Sequence, residues 1–93
     1  MFVACLRVEF LLPGCSSLKE KRFILRSIKD RLRNKFNVAL CESGFQQKWQ
    51  RSELGLVTVA TSRRGAEKTT QSIIAILEKE HRIVLLECNN EFL

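Results

Sequence analysis

The sequence predicts a two-layer α+β sandwich, with two helices packed on one face of a four-stranded antiparallel sheet. Three observations lead there. Segments of apolar period two and segments of helical period follow one another in the order β-α-β-β-α-β. Two right-handed β-α-β units joined in this way interleave their strands, which places the first and third strands at the centre. The chain has 93 residues, 45% of them hydrophobic, which suits one core and one domain spanning residues 1–93.

The elements can be justified in order. Phe2, Ala4, Leu6, Val8, Phe10 and Leu12 alternate with Val3, Cys5, Arg7, Glu9 and Leu11, the pattern of a strand with one side on a core, and Pro13-Gly14 ends it. Ser17-Leu18-Lys19-Glu20 fits a capping box, in which the hydroxyl and the carboxylate each satisfy a free backbone N–H. Leu18, Leu25, Ile28, Leu32 and Phe36 then recur at helical spacing, with Ile24 on the flank and Asn34 as a stop in the left-handed conformation. Residues 38–42 read as a second strand, residues 45–51 as a polar connection, and residues 54–60 as a third strand, apolar on both faces and hence central. Thr61 or Ser62 caps a second helix lined by Ala66, Thr70, Ile73 and Leu77, which fades near Lys79. Residues 83–86 open a final strand. This is the ferredoxin-like βαββαβ arrangement.

Composition removes several function classes. No run approaches the 18 or so apolar residues of a membrane span. Arg7 and Glu9 interrupt the first apolar segment too early for a signal peptide, and the Val3-Ala4-Cys5 stretch lacks the export signal a lipoprotein box requires. Cys5, Cys15, Cys41 and Cys88 lie far apart in sequence, unlike zinc or redox ligand pairs, and read as reduced thiols of a cytoplasmic protein. A Cys5–Cys88 disulfide would be geometrically possible in an oxidising compartment if the first and last strands are neighbours. No carboxylate pair, nucleophile–base set or metal cluster points to catalysis, and no cofactor is expected. The loop after the first strand lacks the glycine spacing of acylphosphatases and the CxxC of copper chaperones. The third strand lacks the aromatics of RNA-recognition motifs.

The charge is concentrated. Between Lys19 and Lys35 lie eight basic residues against the acids Glu20 and Asp30, which accounts for the whole net charge of +6. Wound at 100° per residue, Arg22, Arg26, Lys29 and Arg33 fall within a stripe about 60° wide and roughly 16 Å long, beside the apolar face. Such a row, with Lys19 near its start, matches a few phosphates of a nucleic-acid backbone, and it also suits the solvated outer side of a helix. Phe23 faces away from the core and offers an exposed ring to a base or a partner.

Four stretches of the chain together resemble YlxP-like proteins. They are Leu6-Arg7-Val8-Glu9, the run from Pro13-Gly14 through Ser17-Leu18-Lys19-Glu20-Lys21-Arg22, residues 30–38, and Trp49-Gln50-Arg51 followed by Leu54-Gly55. The resemblance covers essentially the whole chain. It implies a ferredoxin-like fold and carries no established activity. It also implies a genomic setting among translation and ribosome-maturation genes, which is association rather than mechanism. Members often carry a His near the position of Gln46. This chain has Gln46-Gln47, so an acid–base role for that loop does not carry over.

Lys48, Trp49 and Arg51 combine a flat aromatic with donors. They suit RNA stacking, a dimer anchor or a cover over one end of the core. Arg63 and Arg64 open the second helix against its dipole, which is a place for a bound phosphate. His81 is expected to be solvated. The uncovered sheet face, with Val3, Cys5, Leu11, Ala39 and Cys41, is apolar enough to meet a partner, and a symmetric homodimer is expected there. The first functional expectation is a non-enzymatic RNA- or ribosome-associated protein that binds phosphates through its first helix. The alternative is a dimeric protein-interaction module using the open sheet (with Val3, Cys5, Leu11 and Phe23 as contacts) or the Trp49 loop, with no nucleic-acid role.

Overall fold

The computed structural model describes residues 1–93, and it has the expected element order. Strand β1 (Phe2–Leu11) turns Ala4, Leu6, Val8 and Phe10 onto the helices and buries them completely or nearly so, with Leu12 just beyond its end. Helix α1 (Leu18–Lys35) answers with Ile24, Leu25, Ile28 and Leu32. Strands β2 (Val38–Gly44) and β3 (Arg51–Ala60), helix α2 (Arg63–Glu78) and strand β4 (Val84–Phe92) complete the chain. The sheet order is β2-β3-β1-β4, antiparallel throughout, with β1 and β3 central. This is a ferredoxin-like sandwich. Its core, which also takes in Leu54, Leu56, Ile73, Leu77 and Ile83, lies between the sheet and the helix pair.

The helix ends show where local chemistry decided the boundaries. The Ser17 hydroxyl accepts the Glu20 N–H at 3.1 Å, as a capping box requires. The reciprocal arm is displaced by one residue, because the Glu20 carboxylate accepts from Ser16, at 2.8 Å from its hydroxyl and 3.4 Å from its N–H. Asn34 does not stop α1. The helix continues to Lys35 and is capped by Phe36 in an extended conformation, whose N–H donates to Leu32 at 2.9 Å. Phe36 packs against the core, so the chain leaves the helix by turning an aromatic ring inward and needs no left-handed residue. Of the two candidates for α2, Ser62 is the cap, accepting the Gly65 N–H at 3.0 Å.

The strands run longer than their apolar stretches. β3 begins at Arg51, because residues 51–53 pair with Leu11, Phe10 and Glu9 of β1. A register shift opposite Glu9 and Phe10 marks a bulge in β4. β4 is indeed the neighbour of β1, yet no disulfide joins them and all four cysteines are free. Cys5 pairs with Glu91, whereas Cys88 pairs with Val8, whose side chain is on the helix side. The two thiols therefore lie on opposite faces of the sheet, and the Cys5–Cys88 bond is ruled out by pleat parity.

Two polar clusters fasten α1 to the rest of the molecule. Lys21 is the first. It is 1% exposed, and its spacing explains why, since residues 21, 25, 28 and 32 occupy one helical face. Its ammonium reaches three oxygens: the carbonyl of Phe45 at 2.7 Å, the carbonyl of Lys48 at 2.6 Å and the Glu42 carboxylate at 2.7 Å. The same carboxylate oxygen accepts from the fully buried Ser52 hydroxyl at 2.7 Å. An ammonium has three protons, and here each has an acceptor. The two carbonyls belong to the β2–β3 connection, where Phe45 holds the left-handed φ of 59° that an aromatic residue rarely adopts. The Lys48 N–H also donates to Phe45 at 3.0 Å, and the Arg51 guanidinium stacks on the Phe45 ring at 4.5 Å.

Glu80 anchors the second cluster. Its side chain is 3% exposed and accepts from Arg82 at 2.9 Å on each carboxylate oxygen and from the Arg82 N–H at 3.0 Å. Arg82 also donates to Ser27 of α1 at 3.1 Å, and Arg31 of α1 comes within 3.7 Å of Glu80. These bonds hold the Glu80 carboxyl down at about 2, chiefly through the side-chain bond from Arg82. No buried side-chain nitrogen or oxygen in the molecule lacks a hydrogen-bond partner.

Replacing Lys21 by Met keeps the length of the side chain and strands two carbonyls and a carboxylate. The variant should lose about 2–4 kcal/mol in urea unfolding. A loss below about 1 kcal/mol would show that the clamp is idle. The Glu80 carboxyl is depressed in the folded state, so the unfolded chain binds its proton first as the pH falls. Stability from this group, up to about 3 kcal/mol, is full above roughly pH 5 and fades toward pH 2. The stability gap between wild type and Glu80→Gln should therefore be widest near neutrality and shrink steadily on acidification.

Candidate functional site

α1 turns its buried face to the sheet and its charged flank toward β2. Arg22, Arg26, Lys29 and Arg33 border a single groove of about 370 Å3, together with Asp30 and Glu42. The four cations that helical winding aligned are thus one surface in space. Both acids of the groove are already engaged: Glu42 by Lys21 and Ser52, and Asp30 by Arg33 at 3.9 Å. Arg22, Arg26 and Lys29 form no ion pair, and Arg22, Arg26 and Arg33 are exposed. The groove therefore carries cationic donors without enough carboxylates to neutralise them. Its chemistry suits an extended anion with oxygens spaced along the helix axis.

Lys19 is exposed one turn before Arg22. Phe23, 70% exposed, lies on another flank, over a groove of about 480 Å3 with Pro13, His81, Arg82 and Val84. That groove shares no residue with the basic one, so Phe23 and the stripe do not form one stacking platform. His81 is solvated, with its ring beside Glu80 at 3.8 Å.

The β2–β3 connection is held by two side chains. Lys21 binds its carbonyls, and the Gln50 amide donates to the Cys15 carbonyl at 3.1 Å. Trp49 is 52% exposed and borders a shallow groove with Leu11, Lys48 and Arg51. It does not cover the core. It continues the open sheet face, since Leu11 pairs with Arg51 there. Arg51 itself is engaged by the Glu9 carboxylate and by the Phe45 ring. At the start of α2, Arg63 pairs with Glu67 at 3.1 Å and stacks on Phe92 at 4.8 Å, whereas Arg64 is exposed. Of the two phosphate candidates there, Arg63 is thus engaged by its own chain and Arg64 is not.

The open sheet face has its own centre. Val3, Cys5 and Leu11 of β1 are half-buried, and Ala39, Cys41, Val57 and Val59 are exposed. A cavity of about 660 Å3 opens over Gly55, between Arg7 and Cys41, which both pair with it. Cys88 is exposed at the edge of the helix side, where partial desolvation and the nearby Glu78 carboxylate push its thiol up. No three His, Cys, Asp or Glu side chains converge as metal ligands, and no helix is long and apolar enough to cross a membrane.

Two of these features were missed in the sequence. Lys21 was counted only as one of the eight basic residues between Lys19 and Lys35, although its place in the 21-25-28-32 register signals burial. The Gly55 notch carries no local signal, because its walls come from β1 and β2.

The chain can now be set beside known proteins. It is 41% identical over 70 residues to the "Uncharacterized protein YlxP" of Bacillus subtilis (strain 168), covering 75% of this chain and 76% of that protein. Among solved structures it is similar to a dimeric ferredoxin-like protein from an uncultured marine organism. The TM-score is 0.52 and the identity 17%, over 99% of this chain and 92% of the other, a likeness of fold alone. The family described as "Protein of unknown function (DUF503)" matches residues 3–90, nearly the full length, and the chain belongs to that family.

Proposed function

We propose that this chain is a non-enzymatic, cytoplasmic protein that associates with RNA or ribosomal particles by docking the basic flank of α1 on phosphates. One observation carries the reading. Arg22, Arg26, Lys29 and Arg33 border a common groove whose two acids are already partnered. Polyanion binding of this kind needs no base readout, and its strength comes from counterion release. Lys19, exposed one turn before Arg22, extends the row, whereas Lys48 and Trp49 border a separate groove.

A second reading is favoured by a separate observation. The sheet leaves Val57 and Val59 exposed on its central strand, and the ferredoxin-like neighbour of similar fold is described as dimeric. This chain would then self-associate, with Trp49 or the open sheet as the contact. The two readings are compatible, because α1 lies on the opposite side of the sheet.

The phosphate reading is tested by co-sedimentation with ribosomal particles at about 50 mM and about 300 mM salt. Association should be present at low salt and lost at high salt, with a log–log slope of roughly −2 to −3 for four cations on single-stranded RNA. The variant carrying Arg22→Ala, Arg26→Ala, Lys29→Ala and Arg33→Ala alters three exposed side chains and one half-buried one, none in the core, so it should fold normally and should not bind. Equal binding by that variant would remove α1 from the interface. No binding by wild type at low salt would leave the stripe as a solvated face.

A further inference from the structure

We infer that the open sheet face is the contact for a second copy of this chain, and that Val57 of each copy seats in the Gly55 notch of the other. The inference rests on the dimer reading above and decides which surface forms the dimer.

Charge makes the choice. A two-fold contact sets a patch against itself, so a patch with a net charge repels its own copy. The α1 groove is cationic and excludes itself on that ground. The Trp49 groove carries Lys48 at its rim and would bring two ammonium groups together. Val3, Cys5, Ala39, Cys41, Val57 and Val59 form an uncharged patch instead, bordered on one side by Arg7 and on another by Glu91. Turned on itself, that rim can set a cation against an anion.

Shape agrees with charge. Val57 and Val59 are 42% and 45% exposed on a strand hydrogen-bonded on both sides, so these β-branched side chains stand up from the middle of the sheet. Two residues from Val57 on the same face, Gly55 leaves a depression between Arg7 and Cys41. The Ser43 side chain of β2 borders this depression, its hydroxyl 3.3 Å from where a Cβ at Gly55 would lie, so the space exists only while residue 55 has no side chain. A two-fold axis running across the strands between these two rows brings each Val57 over the partner's notch. Each copy then supplies the side chain that the other lacks.

The native cysteines report the contact. Cys5 and Cys41 lie inside the proposed interface, and Cys88 lies on the other side of the sheet. The experiment combines sedimentation equilibrium with alkylation by N-ethylmaleimide of the full chain, between about 1 and about 100 μM, a range that brackets a micromolar dimer. The wild type should dimerise with Cys5 and Cys41 protected and Cys88 reactive, and dilution should abolish the protection. Val57→Glu, an exposed position whose folding is checked by circular dichroism, should raise the dissociation constant at least about a hundredfold by burying unpaired carboxylates. Trp49→Ala should leave it unchanged. A dimer with freely reactive Cys41, or one indifferent to Val57→Glu but broken by Trp49→Ala, overturns this interface and keeps the dimer. A wild type that stays monomeric throughout the range overturns both.

Discussion

The buried ammonium of Lys21 is the constraint on which the rest of the molecule turns. It joins α1 to two carbonyls of the β2–β3 connection and to Glu42, and Glu42 in turn holds Ser52 of β3. A buried charge of this kind costs several kcal/mol in desolvation, so it persists only where every proton finds an acceptor. That condition fixes the geometry. The connection must fold back far enough to aim the Phe45 and Lys48 carbonyls at one point, and Phe45 takes a left-handed backbone to do so. The helix must in turn present residue 21 to the sheet. Its neighbour Arg22, 100° further round, is thereby committed to the flank that carries Arg26, Lys29 and Arg33. One buried cation orients the row of exposed ones.

The Glu80 cluster does the same work at the other side of α1. Arg82 and Arg31 share its carboxylate, and Ser27 joins them, so the helix is gripped from the α2–β4 turn as well as from β2 and β3. Between these two polar attachments lies the apolar seam of Leu25, Ile28 and Leu32. The result is a molecule with two unlike surfaces. The helix side carries the unbalanced positive charge, and the open side of the sheet carries an uncharged patch with a mixed rim. The proposed phosphate docking and the proposed self-association would draw on opposite layers of the sandwich, so neither would block the other.

The fold was legible because its signals are local. Alternation in residues 2–12, the Ser17 cap, the Ser62 cap and the apolar run of β3 each depend on residues near in sequence, and the central place of the first and third strands followed from interleaving two right-handed β-α-β units. The stripe of Arg22, Arg26, Lys29 and Arg33 was legible for the same reason, since helical winding is arithmetic. Long-range pairing was not. Arg51 is held by Glu9 across 42 residues, and Lys21 by Phe45 and Lys48 across 24 and 27. A count of charges treats such cations as free. Asn34 shows the opposite failure: a local stop signal was overruled by the burial of Phe36, which is a tertiary event. Arg63 falls between these cases, because its pairing with Glu67 is an i to i+4 contact readable in sequence, whereas its stacking on Phe92 is not.

The most direct measurement is an amide chemical-shift map of the chain titrated with a short single-stranded RNA at low salt. The account predicts shifts concentrated on α1 from Lys19 to Arg33, with the open-face residues Cys5, Val57 and Val59 unmoved and the Lys21 contacts intact. Shifts centred on the sheet face, or none anywhere on α1, would contradict it.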